Sequence, residues 1–280
     1  MKKILYSCLI ASFALSSCHS QKSEKKNEVV SDFKLNYNFS KPDQKYILPD
    51  VLEEISGLSY YKGNQLVCLN DEEGKVFFFD YTTGKIVKEI KFGKKGDYEG
   101  IEAVGEKIYV MKSNGELYGF LPEEPRESII SVDFDGQNEF EGLSYDPRHK
   151  YFLMAVKQRE KELDDVKVVY AVSASQKKAW KVIGIPLEAL FDKNVKKKER
   201  VFKPSGISVH PLSGDIYILA SVGKKLLIIG DDGKKKAFIS LDPSQYIQPE
   251  GICFSPNGDL FISSEGKGGA GYILKFSYKK

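Results

Sequence analysis

Gln248-Pro249-Glu250-Gly251-Ile252-Cys253-Phe254-Ser255-Pro256 decides how this chain folds, because close variants of it occur four times upstream. These are Glu54-Ile55-Ser56-Gly57-Leu58-Ser59-Tyr60, Tyr98-Glu99-Gly100-Ile101-Glu102, Phe140-Glu141-Gly142-Leu143-Ser144-Tyr145-Asp146-Pro147 and Pro204-Ser205-Gly206-Ile207-Ser208-Val209-His210-Pro211. The glycines stand 43, 42, 64 and 45 residues apart, and three of the four intervals match the roughly 40–50 residue period of a propeller blade. In every copy a polar or acidic residue precedes the glycine and an apolar alternating run follows. A turn then leads to a second β-forming run, at 65–70, 107–112, 151–157, 215–221 and 259–264. A glycine at the head of a strand allows a close backbone approach that a Cβ would block, which is what crowding around a central axis demands.

The spacing therefore predicts an all-β chain: a β-propeller of five blades, each of four antiparallel strands, over residues 34–280. The fifth blade, from Gly251, has only three strands of its own before the chain stops. Segment 34–48 alternates apolar and polar residues and precedes the first register glycine, so it is expected to supply the missing outer strand and close the ring. The long third interval is explained by an insert, Pro186-Leu187-Glu188-Ala189-Leu190-Phe191, and a lysine-rich loop up to Arg200.

With 280 residues, 41% of them hydrophobic, the chain can bury one large core. The 16 Tyr and 17 Phe beside a single Trp suit packing between blades. Residues 1–17 join a basic start, Lys2-Lys3, to an apolar run too short to span a bilayer, which reads as an export signal. Its end, Leu15-Ser16-Ser17-Cys18, resembles the lipobox of bacterial lipoproteins, so Cys18 is expected to be acylated and to hold the protein on a membrane of the cell envelope, the outer membrane being favoured. Residues 18–33 are polar and charged and read as a flexible tether.

Removing the signal lowers the formal charge from +3 to +1. The lysine runs at 196–198 and 234–236 lie among acids, so no nucleic-acid partner is expected. Cys68 and Cys253 sit in apolar runs and read as buried free thiols. The sequence holds no nucleophile elbow, paired-cysteine zinc spacing or phosphate-cradling loop, and His19, His149 and His210 fall in unrelated contexts. A monomer acting on an unidentified protein or small-molecule ligand is expected.

Blade geometry gathers two rings of side chains at one mouth of the channel. Residues before the register glycines give Ser56, Glu99, Glu141, Ser205 and Glu250; residues ending the second strands give Asn70, Lys112, Lys157, Ser221 and Glu265. Three carboxylates near one axis repel unless a cation offsets them, and hard oxygen donors suit calcium. Glu99, Glu141 and Glu250 are therefore candidate calcium ligands. They could instead accept backbone amides or pair with Lys112 and Lys157 as clips between blades.

Phe140-Glu141-Gly142-Leu143-Ser144-Tyr145, Tyr98-Glu99-Gly100-Ile101-Glu102, Pro249-Glu250-Gly251-Ile252 and Phe261-Ile262-Ser263-Ser264-Glu265 resemble the SdiA-regulated family, itself distantly similar to NHL-repeat propellers. The resemblance spans about 48–278 and implies a five-bladed propeller with a calcium site and no established activity. Ser205 stands where another acid would extend the ring, and Glu54 lies two residues earlier than that position. Two functions follow: a non-catalytic binding or interaction module at the cell envelope, or a calcium-dependent hydrolase of an ester, lactone or phosphate.

Overall fold

The computed structural model describes residues 28–29, 33–159 and 165–280. The signal, Cys18 and most of the expected tether lie outside these residues. Among the described residues, no helix is long and apolar enough to cross a membrane.

The five repeats form five four-stranded antiparallel blades. Blade I holds β3 (Ile55–Lys62), β4 (Gln65–Asn70), β5 (Lys75–Asp80) and β6 (Lys85–Lys91). Blade II holds β7 (Tyr98–Val104), β8 (Lys107–Lys112), β9 (Leu117–Leu121) and β10 (Glu124–Ile130). Blade III is built from β11 (Asn138–Asp146), β12 (Tyr151–Arg159), β13 (Val166–Ser173) and β14 (Lys178–Pro186), blade IV from β15 (Lys203–Val209), β16 (Ile216–Val222), β17 (Lys225–Ile229) and β18 (Lys235–Ser240). Blade V takes β19 (Gln248–Phe254), β20 (Leu260–Glu265) and β21 (Tyr272–Phe276) from the end of the chain, and its outer strand β2 (Gln44–Ile47) from the beginning. Each inner strand packs on the next, from β3 through β7, β11, β15 and β19 and back to β3, so the ring is closed.

Only part of segment 34–48 is strand. Asn38 closes a turn in which the Lys41 and Ser40 amides bond its own carbonyl and side-chain oxygens, and Pro42 has no N–H to offer a ladder. Upstream of β2, Tyr37 and Phe39 instead plug the core between blades IV and V. The tether also differs from expectation at two residues: Glu28–Val29 (β1) pair with Ala237 and Phe238 on the outer edge of β18.

Five apolar clusters fill the wedges between neighbouring blades. Each buried aliphatic or aromatic side chain contributes roughly 1.5–3 kcal/mol. The insert between β14 and β15 contributes Leu190 to the wedge of blades III and IV, so the extra length is tied to the core. Cys68 and Cys253 are buried free thiols at the seam of blades V and I.

Candidate functional site

The register glycines form the neck of the axial channel. A Cβ on Gly100 would stand 2.8 Å from Leu143, on Gly142 2.8 Å from Gly206 Cα, on Gly206 2.5 Å from the Glu250 carbonyl and on Gly251 2.7 Å from Leu58. These contacts are with the next blade, and a Cβ on Gly251 would also meet Ser263 Oγ of its own blade at 2.6 Å. Gly142 alone of the five also has positive φ, +95°. The space left at the neck is about 10 Å³, on the order of one water molecule, and it divides the channel into two mouths.

At one mouth the strand starts bring the candidate carboxyls together. Glu141 and Glu250 are buried, at 5% and 8% exposure, and Glu99 and Glu250 line the neck. Burial, then the charges of Glu141 and Asp97 and a hydrogen bond to Asp97, push the Glu99 carboxyl up to about 10. Burial raises Glu141 to about 7 against the pull of Lys157. Glu250 is raised well above the usual range by burial and by the charges of Glu141 and Glu265, although Ser221 donates a hydrogen bond to it. Burial and neighbouring charge thus favour the protonated form of carboxyls that would be ionised in water.

Lys157 is the principal counter-charge. Its ammonium donates to Glu141 and lies 3.0 Å from Glu139; burial pulls its pKa down, but these contacts outweigh that and hold it above its ordinary value. Lys224 stands on the far side, donating to the Ser221 carbonyl at 2.8 Å, and is lowered by burial and by Lys267 despite Glu250 and Glu265.

Lys112 departs from the clip reading. Its ammonium lies 4.9 Å from the Tyr118 ring centroid and 5.5 Å from that of Tyr98, and its charged neighbour is Glu116 rather than an axis acid. Asn70 caps the β4 turn, accepting the Glu72 and Glu73 amides at 3.0 Å each. Ser56 and Ser205, the serines of the first ring, donate to the carbonyls of Tyr98 and Pro249 on the following blades, both at 2.8 Å. Glu265 is bonded by Gln248, and burial with the charge of Asp71 lifts it to about 7.

Asp71, Asp97, Glu139 and Gln248 belong to this mouth although their ring offset did not mark them. Asp71 is raised by burial and by Glu54 and Glu72, and among the described residues its Oδ1 is the one buried side-chain oxygen or nitrogen lacking a hydrogen-bond partner. Glu54, displaced by two residues in sequence, still adds its charge to both Asp71 and Glu265. Among the described residues no three His, Cys, Asp or Glu side chains are arranged to hold a metal ion.

The opposite mouth opens into a cavity of about 420 Å³ at the ends of the inner strands. His210 flanks it, 2% exposed. The Leu212 and Ser213 amides approach His210 Nδ1 at 3.3 and 3.1 Å, so Nδ1 is the acceptor and Nε2 carries the proton. Nε2–H then donates to Tyr37 Oη at 2.8 Å, and Tyr37 Oη–H to the Gly258 carbonyl at 2.6 Å. This is a structural chain, and it fixes the amino-terminal segment to blades IV and V.

A sequence model of the SdiA-regulated family matches residues 34–267, taking in all five register glycines and every carboxyl of the acidic mouth. The chain belongs to the SdiA-regulated family. None of the curated proteins matches this family member significantly. Among solved structures it is similar to glutaminyl cyclase of Myxococcus xanthus, at 14% identity and TM-score 0.55 over 85% of this chain and 96% of that one. Aldose sugar dehydrogenase of Streptomyces coelicolor gives 13% identity and TM-score 0.52 over 85% and 97%. Regucalcin of Agrobacterium tumefaciens, a calcium-binding protein, gives 11% and 0.50 over 88% and 95%. At these identities the likeness is one of fold.

Proposed function

We propose that this SdiA-regulated protein is a ligand-binding propeller of the cell envelope, anchored through an acylated Cys18, whose acidic mouth takes a cation. The observation that carries the reading is the convergence of Glu99, Glu141 and Glu250, each raised first by burial, with the charge of Glu141 adding to Glu99 and Glu250 and Lys157 the counter-charge to all three. Their donors are hard oxygens, the chemistry calcium selects. In the arrangement described, Glu141 is engaged by Lys157, so an incoming ion would free Glu141 from that ammonium and displace protons from Glu99 and Glu250. Binding is therefore coupled to proton release.

Calorimetric titration with calcium tests this. Binding with proton release, weakened in Glu141→Gln, is expected; wild-type protein that gives no heat with calcium and melts identically in chelator overturns it. Calcium at a hundredfold excess over its Kd would stabilise the fold by about 2.7 kcal/mol.

The hydrolase reading is favoured by one observation: Glu265, beside Glu250, is raised to about 7, where a carboxylate serves as a general base at neutral pH. Calcium-dependent turnover of a 4-nitrophenyl ester, lost in Glu265→Gln, would select it over the binding module. Absence of turnover leaves the binding module.

A further inference from the structure

The inner strands carry a second axial ring, two residues after each register glycine: Ser59, Glu102, Ser144, Ser208 and Cys253. Four of the five pin one blade to the next. Ser59 Oγ accepts the Ala103 amide at 3.1 Å and Ser144 Oγ accepts the Val209 amide at 3.2 Å. Glu102 receives the Tyr145 amide, and Cys253 that of Tyr60. A hydroxyl is sufficient for this pin. Blade II nevertheless uses a carboxyl, which reaches farther and brings more acceptor capacity than one amide consumes.

That carboxyl lines the cavity at the opposite mouth. Ser59 donates to it at 3.2 Å. Burial pushes it up to about 8 against the Tyr145 and Ser59 hydrogen bonds, and no basic side chain is among the groups that hold it down. Arg148, at the rim, is committed elsewhere: it bonds Asp146 at 3.2 Å and the Gly214 carbonyl at 2.9 Å, and lies 3.5 Å from Asp231. The walls are apolar and aromatic. Tyr60, Tyr61, Tyr145, Pro147, Pro211 and Pro256 all line it, the prolines stiffening three inner-strand turns. A volume near 420 Å³ falls in the range of small-ligand sites.

We propose that this cavity is a second binding site, for a small organic ammonium ion carrying an apolar body, with Glu102 as its counter-ion. The ammonium would supply the positive charge that the protein withholds from Glu102, and the tyrosine faces favour a cation further. The apolar body would lie against the prolines and tyrosines of the lining. This site is separated from the acidic mouth by the closed neck, so it stands or falls independently of calcium.

The probe is phenethylamine, titrated calorimetrically into the full chain, with 2-phenylethanol as the uncharged analogue of similar shape. Saturable binding with a Kd of about 1 mM or tighter is expected for the amine. It should be at least tenfold weaker for the alcohol and in Glu102→Gln, and unchanged in Glu188→Gln, which removes an exposed carboxylate elsewhere. Glu102→Ser, which restores the hydroxyl that blades I and III use for this pin, supplies a folded variant if Glu102→Gln unfolds. No saturable binding of the amine, equal binding of the alcohol, or undiminished binding in the Glu102 variants overturns the proposal.

Discussion

The two mouths of this channel are built from the same five strands and obey opposite rules. At the acidic mouth the repeat buries carboxyls in blades II, III and V, where the charge of Glu141 adds to the rise of Glu99 and Glu250, while the two serines of that ring bond neighbouring carbonyls. At the other mouth the repeat places hydroxyls and a thiol that satisfy the next blade, and a single carboxyl breaks the series. A repeat thus fixes position, and chemistry sits where one copy departs from the others. One mouth buries carboxyls that burial and neighbours push towards protonation; the other is held by hydrogen bonds and ring packing.

Removing residues 33–48 should break the comparison most severely, because it strips Tyr37 and Phe39 from the wedge of blades IV and V, taking from His210 its phenol partner, and the outer strand from blade V. Cooperative unfolding is expected to vanish or Tm to fall by more than about 10 °C. Deleting 19–27 should leave Tm unchanged, and equal melting of the two truncations would show that the segment closes nothing.

Next in size is the neck that separates the mouths. Gly142→Ala combines a positive φ with a Cβ 2.8 Å from backbone of blade IV, and should cost roughly 2–5 kcal/mol in denaturant unfolding. Gly57→Ala meets first a side-chain methyl, Ile101 Cγ2 at 3.0 Å, and should cost clearly less. Equal losses would mean that backbone contact at the neck is unimportant.

Tyr37→Phe sharpens the description of the second mouth. It leaves His210 Nε2–H and the Gly258 carbonyl without the phenol, a loss of about 1–3 kcal/mol, with the acidic mouth's pH response untouched. An unchanged unfolding midpoint would remove the phenol from any structural role.

The smallest effect is the most specific, since the acidic-mouth glutamates and His210 titrate with opposite sign. Glu99 and Glu141 are raised to about 10 and about 7, so the folded state binds more protons than the unfolded one above about 4.5. Their contribution is complete below that pH and is lost as pH rises through about 7 and on towards 10. His210 is lowered by burial; its contribution is complete above the unfolded value near 6.5 and is lost as pH falls below it. Glu141→Gln should flatten the decline of Tm between pH 5 and 8, whereas His210→Gln should flatten the decline on the acid side of 6.5. A Glu141→Gln profile parallel to wild type would show that the carboxyl is not held up.

Much of this was legible in the repeat. Glycine spacing gave blade number and insert position, and the three-strand fifth blade pointed to closure by the amino-terminal segment. The limits were equally physical. Alternation over 34–48 did not reveal that Asn38 and Pro42 stop the ladder before Gln44. Lys112 shares its strand-end position with Lys157, but Tyr98 and Tyr118 draw it away, an effect that ring offset cannot express. Asp71 and Asp97 enter the mouth from loops, where no register applies. The Ser59, Glu102, Ser144, Ser208 and Cys253 series was readable from constant spacing, and so was its one acidic exception.

The pairing of Gln44–Ile47 with Tyr272–Phe276 also sets a timetable. A strand made near the start of synthesis has its partner only among the last residues made, and contacts so distant in sequence form late. Blades I to IV can assemble in order while the fifth wedge stays open. The ring's final hydrogen bonds must await release of the whole chain, so a chain halted short of Tyr272 would expose the unpaired edge of blade V to any neighbouring strand.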